Sequence, residues 1–592
     1  MILASRQAMS ARAANSSLVP KSDFPQMALK LFHKGIPSIH GAALLIGGAG
    51  LLSRLLGMLR DRMLAGQFGA SRTLDVYYAS FQIPDFLFTI FLLGAASAAI
   101  IPLFVQYSAS DPMRARRFIG GLLLLFAVAA VLVSGIVIIF APFLARFIAP
   151  GFSLADKALL IYMTRIMMLS PILLGLSSIL SAVMQANRQF FVFALTSVLY
   201  NLGIIAGILL FVPMFGPLGL ALGVILGAFM HFLVQVPALW QIGFFPILSL
   251  RQGFADIRFI MKLSLPRVFA ITAQQIMMII LVSLGSLLAA GSITIFQFAN
   301  NLRYLPIGII GVSYAIAVFP KLTEAALEKS HEQFFANLVS TIETILFWVA
   351  PIAAMTIVLR ALLVRLALGV HQFSWSDTRL TAAVLAIFAI AMVSESLTPV
   401  FIRAFYAVGN TRLPFIVSLC SVGFVVVSAP LLVSLFTSGR ASGHLIASIL
   451  KIGDLSAAGV LGLAIAFVLG SLIDTTLLGL ALVFELRKYF GKEFRNGFLL
   501  ASARTILATI AAAGFGYGIL YIVASHISLS TFIGVLSQTV IVVVSAGAFY
   551  VALTYLMGGE EAISVWTAIR QRAFRLGTLP AEIDEDRDNI PV

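Results

Sequence analysis

Apolar segments of helix length, separated by short polar stretches, run through most of this chain. Each is near the roughly 20 residues that an α-helix needs to cross a bilayer, and none shows the alternation of a membrane β-strand. Because only helices satisfy their own backbone hydrogen bonds in lipid, the pattern predicts helical crossings. About fourteen such segments have the approximate extents 41–66, 76–107, 118–145, 158–186, 190–212, 216–243, 259–290, 293–319, 337–363, 380–408, 413–436, 456–485, 499–525 and 531–557.

Composition supports an integral membrane protein. Hydrophobic residues make up 60% of the 592 positions and charged residues 11%, against about 45–50% and about 25% in soluble domains. The single cysteine, Cys420, excludes an internal disulfide and a cysteine-based metal site. The sequence has no nucleotide-binding loop, nucleophile elbow or metal-ligand spacing, so we expect a protein that is not an enzyme and has no cofactor.

Lysine and arginine are concentrated in alternate loops. The N-terminal tail, the even-numbered loops and the C-terminal tail hold about twenty-three of them, and the odd-numbered loops about eight. Cytoplasmic loops carry the excess of basic residues, so both termini are expected in the cytoplasm. The net charge of +15 therefore reflects topology and not nucleic-acid binding, because no basic stripe is interleaved with aromatic residues.

Two stretches of the chain match each other at a constant offset. The matching residues are Gly219, Leu220, Ala221 and Gly227 in the first copy and Gly462, Leu463, Ala464 and Gly470 in the second. Six predicted spans separate the copies, so both have the same orientation, which predicts a parallel repeat about the membrane normal. The expected fold is all-α, with two six-helix lobes facing a central cavity and two additional C-terminal helices.

The repeat divides the chain into five predicted parts. They are a disordered cytoplasmic leader at 1–40, an N-lobe at 41–245, a C-lobe at 246–490, a final pair of helices at 491–560 and a cytoplasmic tail at 561–592.

Charged side chains inside the apolar segments are the candidate functional residues. The first span contains Ser53, Arg54, Arg60, Asp61 and Arg62. A charge near mid-depth costs roughly 2.5 to 3.5 kcal/mol on insertion scales, so it should face a partner or a wet cavity. Arg54 and Asp61 lie seven residues apart, which places both near one helix face. Arginine presents a planar fork to phosphate oxygens, so the run predicts an anion site.

Other intramembrane charges have different interpretations. Glu395 and Asp474 have no neighbouring cation in the sequence, and each is a candidate for proton or sodium coupling, with a hydrogen-bonded acid between packed helices as the alternative. Arg360 and Arg365 lie near a predicted outer loop and are interpreted as marking the end of a helix.

Several short motifs, in order along residues 40–560, resemble the MurJ/MviN family of lipid II flippases. They are Ser53-Arg54-Leu55-Leu56-Gly57 with Arg60-Asp61, Phe68-Gly69-Ala70 with Asp75, Ile83-Pro84-Asp85, Ala149-Pro150-Gly151-Phe152, and Leu305-Pro306 through Val318-Phe319-Pro320. The resemblance implies the two-lobed fold of the MOP exporter superfamily. It also implies alternating access for an undecaprenyl-pyrophosphate-linked peptidoglycan precursor, with the last two helices holding the lipid tail.

The family's cavity positions correspond here to Arg54, Arg60, Asp61 and Asp75, with Ser53 in the same motif. The sequence departs from the family pattern at Phe88, Thr89 and Leu93 in the second span and at Asn300 and Asn301 in the eighth. Further cations that could compensate are Arg303, which is expected to reach the same space as Asn301, and Arg267 and Arg403.

The resemblance also sets the expected surroundings. We expect a bacterial inner-membrane location, a lipid-linked glycan substrate, and cell-wall synthesis enzymes as partners. Without a nucleotide-binding motif, sodium, protons, membrane potential or substrate flux would drive transport. The departures keep three alternatives open: a flippase for another polyprenyl-linked oligosaccharide, an ion-coupled multidrug antiporter, and a membrane-embedded glycosyltransferase.

Overall fold

Every regular element in the described part of the chain is a helix. The computed structural model describes residues 39–94, 97–249, 272–438, 441–453, 458–490, 497–529, 531–559, 561–563 and 567. The N-lobe helices are α1 (Ile39–Phe68), α2 (Arg72–Ser80), α3 (Gln82–Gly94), α4 (Ser97–Ser110), α5 (Pro112–Ile148), α6 (Leu154–Met167), α7 (Leu169–Ala186), α8 (Phe190–Ala206), α9 (Val212–Phe215), α10 (Leu218–Leu233) and α11 (Gln235–Gln241).

The C-lobe and the final helix pair follow. Their helices are α12 (Thr272–Ser286), α13 (Ser292–Pro306), α14 (Val312–Leu327), α15 (His331–Leu368), α16 (Trp375–Ala407), α17 (Arg412–Thr437), α18 (Ala441–Ile449), α19 (Gly459–Phe490), α20 (Gly497–Ala524) and α21 (Phe532–Leu556). A π-helical turn joins α8 to α9 at Gly207–Phe211, and another joins α13 to α14 at Ile307–Gly311.

Local sequence fixes several helix starts. At the start of α5, the Asp111 side chain accepts a hydrogen bond from the Met113 N–H at 2.9 Å, and Pro112 occupies the first turn, where its missing N–H costs nothing. At the start of α16, Ser374 and Asp377 form a reciprocal capping box. These caps begin the helices at the polar ends of apolar segments.

Eleven of the fourteen predicted spans correspond to helices that are long and apolar enough to cross a membrane, within the described residues. The other three differ. The first is α1, which carries the charged run; the second is divided among α2, α3 and α4; and the seventh is described only from Thr272 onward. The all-α membrane fold is confirmed, and the count of fourteen stays a prediction.

The lobes share one core near the odd-numbered loops and have separate cores at the other end. Leu74 of α2 and Phe298 of α13 are fully buried in the shared core. Toward the even-numbered loops, Phe118 anchors a core made only by the N-lobe, and Phe334 anchors one made only by the C-lobe. The lobes therefore meet at the odd-loop end, which is the closed end of the molecule.

The repeat predicted from glycine spacing has a packing basis. A Cβ added to Gly219 or Gly227 would lie 2.4 Å from a backbone atom of Phe211 or Tyr200, so α10 contacts the α8–α9 segment backbone to backbone. A Cβ on Gly462 would lie 2.6 Å from Val433 Cα, which sets α19 equally close to α17. The same small residues thus join the corresponding helix pair in each lobe.

The final helix pair packs on the C-lobe through α15. Tyr550 of α21 donates a hydrogen bond from its hydroxyl to the Phe347 carbonyl at 2.9 Å, and Leu359 and Val542 are buried together. Most of the predicted leader at 1–40 and most of the predicted tail at 561–592 lie outside the described residues. The boundaries of the five predicted parts stay predictions.

Candidate functional site

A cavity of about 300 Å³ lies between α1 of the N-lobe and α13 of the C-lobe, beside the end of α15. Its polar lining consists of Arg54, Arg60, Asp61, Asn300 and Asn301. Three of the predicted substrate-binding residues therefore meet at one place, and they meet the two asparagines that distinguish this sequence from the family pattern.

Arg60, Asp61 and Asn301 form a hydrogen-bonded chain that crosses from one lobe to the other. Arg60 donates from Nε and Nη2 to Asp61 Oδ1, at 3.0 and 2.8 Å. Asn301 donates from Nδ2 to Asp61 Oδ2 at 2.9 Å. Both carboxylate oxygens of Asp61 are thus occupied, one by each lobe. Asp61 is 6% exposed, whereas Arg60 keeps part of its surface open to the cavity.

A second polar group holds α1 against α8. Asn201 donates to the Ser53 Oγ at 3.1 Å and accepts from Arg60 Nη1 at 3.4 Å. Ser53 in turn donates to the Ser197 carbonyl at 3.1 Å. Ser53 therefore fixes the helix that carries Arg60 and does not line the cavity. Sequence reasoning missed Asn201, although an amide in a span as apolar as 190–212 was an available signal.

Arg54 crosses the cavity toward the C-lobe without an anionic partner. Its guanidinium lies against Gly308, because a Cβ added to that glycine would be 2.7 Å from Arg54 Nη2. Gly308 belongs to the π-helical turn after α13, and such turns are frequent at functional sites. Arg54 forms no ion pair with a described residue. It is the cation in this cavity that is available to an anion.

Arg303 points away from the cavity, contrary to the expectation that it would reach the space beside Asn301. It forms an ion pair with Glu395 of α16, donates to Asn300 Oδ1 at 2.7 Å, and is 4% exposed. Its guanidinium lies 4.5 Å from the Phe388 ring centroid and 4.2 Å from that of Phe467. Arg303 thus occupies the interior of the C-lobe, enclosed between two aromatic faces.

Glu395, which the sequence presented as an isolated acid, has this buried cation as its partner. Asp474 differs, because it is 8% exposed and its Oδ1 has no hydrogen-bond partner among the described residues. The neighbouring Thr475 hydroxyl is already bonded to the Ser394 carbonyl at 3.0 Å. Within the described residues no group of three His, Cys, Asp or Glu could hold a metal ion. Of the two coupling candidates, Asp474 alone retains an unsatisfied oxygen.

Asp75 lies outside the cavity lining and joins the two lobes at the closed end. It is fully buried; its Oδ2 accepts from the Gly291 N–H at 2.7 Å, and its Oδ1 accepts from the Thr294 N–H at 2.9 Å. Arg72 lies 3.4 Å from the same carboxylate. A carboxylate at the start of α13 receives the free N–H groups and the favourable end of the helix dipole, which accounts for its burial.

Further contacts between loops reinforce this closure. The Gln372 N–H donates to the Gly66 carbonyl at 3.2 Å, and the Gly151 N–H donates to Ser286 Oγ at 3.1 Å. At Gly291, φ is +87°, and an added Cβ would lie 2.2 Å from the Ala70 carbonyl oxygen, so glycine is required there. The odd-loop end is shut in this conformation.

The other positions of interest are only partly described. Thr89, at a departure from the family pattern, accepts a hydrogen bond from Gln275 at 3.0 Å. Arg403 donates to the Pro399 carbonyl of its own helix at 3.3 Å. Arg267 lies outside the described residues.

Comparison with known proteins identifies one family. The family model described as "Lipid II flippase MurJ" matches residues 64–538. A relative from Buchnera aphidicola, described as a probable lipid II flippase MurJ, is 28% identical over 68% of this chain and 80% of its own length. A probable lipid II flippase MurJ from Bdellovibrio bacteriovorus is 26% identical over 80% of this chain and 94% of its own length.

Solved structures agree on the fold. A structure titled "Lipid II flippase MurJ, inward closed conformation" is similar with a TM-score of 0.67 at 20% identity, covering 87% of this chain and 99% of that one. An inward-facing multidrug resistance MATE family transporter of the MOP superfamily is similar with a TM-score of 0.61 at 15% identity, covering 75% of this chain and 96% of that one.

Proposed function

The chain belongs to the lipid II flippase MurJ family, and we propose that it moves lipid II from the inner to the outer leaflet of a bacterial inner membrane by alternating access. The observation that carries this proposal is the interlobe cavity, in which Arg54 and Arg60 face one acid, Asp61. Two guanidinium groups against one carboxylate leave the cavity with an excess of positive charge, which suits a lipid-linked diphosphate.

The diphosphate competes with Asp61 for Arg60. In the empty cavity Asp61 occupies Arg60 on one side and Asn301 of the other lobe on the other. A diphosphate that binds Arg54 and Arg60 draws Arg60 away from Asp61, which weakens the hydrogen-bonded link between the lobes. Substrate binding thereby favours relative movement of the lobes, as a transporter that alternates between two states requires.

The orientation follows from the charge distribution. With the basic even-numbered loops in the cytoplasm, the closed odd-loop end faces outward and the end with separate cores faces inward, where the precursor is made. Both termini are then cytoplasmic. Cell-wall synthesis enzymes are the partners that this substrate implies.

We propose Asp474 as the residue through which a cation gradient acts. Its unsatisfied Oδ1 lies within the C-lobe, and the isolated acid near mid-span is suited to a proton or a sodium ion. A multidrug antiporter would need acids in the cavity itself, whereas this cavity is lined by more arginines than acids.

The proposal is tested in a strain depleted of its own lipid II flippase. The parent protein is expected to restore growth and the appearance of lipid II at the outer leaflet, measured by its accessibility to an externally added lipid II-cleaving toxin. The Arg54→Ala, Arg60→Ala double variant should restore neither. The matched control is Arg412→Ala, because Arg412 begins α17 outside the cavity.

Two results would contradict the proposal. Export of lipid II by the double variant would remove the cavity arginines from the mechanism. Restoration of another polyprenyl-linked glycan, but not of lipid II, would favour the alternative flippase, in which the neutral Asn300 and Asn301 serve a different headgroup.

A further inference from the structure

Arg360 is a buried cation that the cavity described above does not include. Sequence reasoning interpreted it as the end of a helix, but α15 continues to Leu368, so Arg360 lies two turns inside an apolar span. It donates from Nη1 to the Ile357 carbonyl of its own helix at 3.1 Å and forms no ion pair with a described residue. A cation held this way inside a membrane segment is a functional candidate.

The helix register places Arg360 on the side of α15 that faces the cavity. Ala367, seven residues along, lines the cavity, and Val364, four residues along, is fully buried in the core shared by the lobes. Residues separated by four and seven positions lie on one face of an α-helix. The base of the Arg360 side chain is therefore directed toward α1 and the cavity.

The depth of Arg360 matches that of the two cavity arginines. α1 and α15 run side by side, and Gly66 contacts Val370 at their outer ends. With a rise of about 1.5 Å per residue, Arg60 lies about 9 Å below this contact, Arg360 about 15 Å and Arg54 about 18 Å. The three cations thus occupy neighbouring levels along the two helices.

Arg360 also adjoins the final helix pair. Met355 of α15 lies 3.1 Å from the position of a Cβ on Gly516, which fixes α20 against α15 near this level. The next residue, Tyr517, is 60% exposed and interacts electrostatically with Arg360. Arg360 therefore lies between the cavity and the exposed surface of α20, where a lipid can approach.

We propose that Arg360 is a third cation on the path of the lipid diphosphate, located where the cavity meets the final helix pair. This inference rests on the proposed function and extends it. Arg54 and Arg60 bind the diphosphate in the cavity, and Arg360 holds it while the polyprenyl chain lies along α20 and α21. A phosphate oxygen recognises the same guanidinium chemistry in a phospholipid, so the test separates the two sources.

The test measures binding to the full-length protein in nanodiscs, with undecaprenyl diphosphate and lipid II as separate probes. Arg360→Gln should weaken binding of both probes about tenfold, because it removes charged hydrogen bonds to the diphosphate, and Arg360→Lys should recover part of the loss. The matched control is Arg365→Gln. Arg365 lies over the Trp375 ring at 5.5 Å at the helix end, and its replacement should change binding by less than about twofold.

Three results would overturn the inference. The first is unchanged binding by Arg360→Gln, and the second is an equal loss in Arg365→Gln. The third is displacement of the probe by phosphatidylglycerol as effectively as by undecaprenyl diphosphate, which would assign Arg360 to bulk lipid. Failure of the parent to bind lipid II while it binds undecaprenyl diphosphate would count against the proposed substrate but not against Arg360. A thermal unfolding scan of each variant separates loss of binding from loss of fold.

Discussion

At the scale of single side chains, the arginines of this protein have two kinds of surroundings. Arg54 and Arg60 keep open surface toward the cavity, whereas Arg303 is enclosed by Glu395, Phe388 and Phe467. All three lie within apolar segments, so the sequence gives the same signal for each. The direction of a side chain depends on the packing of neighbouring helices, which no single segment specifies.

The Arg303–Glu395 pair gives a prediction for stability. Removing one partner leaves the other charge buried and unpaired, so Arg303→Met should lower the free energy of unfolding by about 3 kcal/mol. Arg303→Met combined with Glu395→Leu should recover most of that loss, because apolar residues of similar size can replace a buried pair. Reversible unfolding in mixed micelles measures both. A double variant as unstable as the single one would show that the pair contributes more than charge neutralisation.

At the scale of helices, glycine spacing was the most informative part of the sequence. The match between the two glycine-containing stretches predicted the repeat, and each stretch provides the close contact that joins α10 to the α8–α9 segment or α19 to α17. Interruptions of helices were harder to predict. The segment 76–107 is as apolar as a single span, yet it is divided among α2, α3 and α4. Buried contacts between helices outweigh local hydropathy there.

The repeat predicts matched sensitivity in the two lobes. An added methyl group at Gly227 would lie 2.4 Å from the Tyr200 carbonyl oxygen, and one at Gly462 would lie 2.6 Å from Val433 Cα. Because backbone atoms cannot move aside as side chains do, each Gly→Ala variant should lose about 1 to 3 kcal/mol of stability. Gly514→Ala is the control, since its added methyl group meets nothing within 4 Å. Equal stabilities for all three variants would remove the packing basis of the repeat.

At the scale of the whole molecule, the sequence predicted the membrane fold, the two lobes and the cavity arginines. It did not predict the conformational state. Asp75 shows why: its motif marked it as a cavity residue, yet its carboxylate accepts hydrogen bonds from Gly291 and Thr294 of the other lobe. The partners lie more than two hundred residues away along the chain, so only the assembled lobes reveal that Asp75 belongs to the closed end.

Alternating access requires the closed end to open during each cycle, and one pair of positions allows a direct test. A Cβ on Gly66 of α1 would lie 3.7 Å from the Val370 Cβ beyond α15, close to the roughly 3.8 Å typical of a disulfide. In a Cys420→Ser background, Gly66→Cys with Val370→Cys should form a bond that joins the lobes and abolishes lipid II export under oxidising conditions. A reductant should restore export, and each single cysteine variant should remain active throughout. Full export by the crosslinked protein would show that the odd-loop end need not separate, and the two-state mechanism would have to be abandoned.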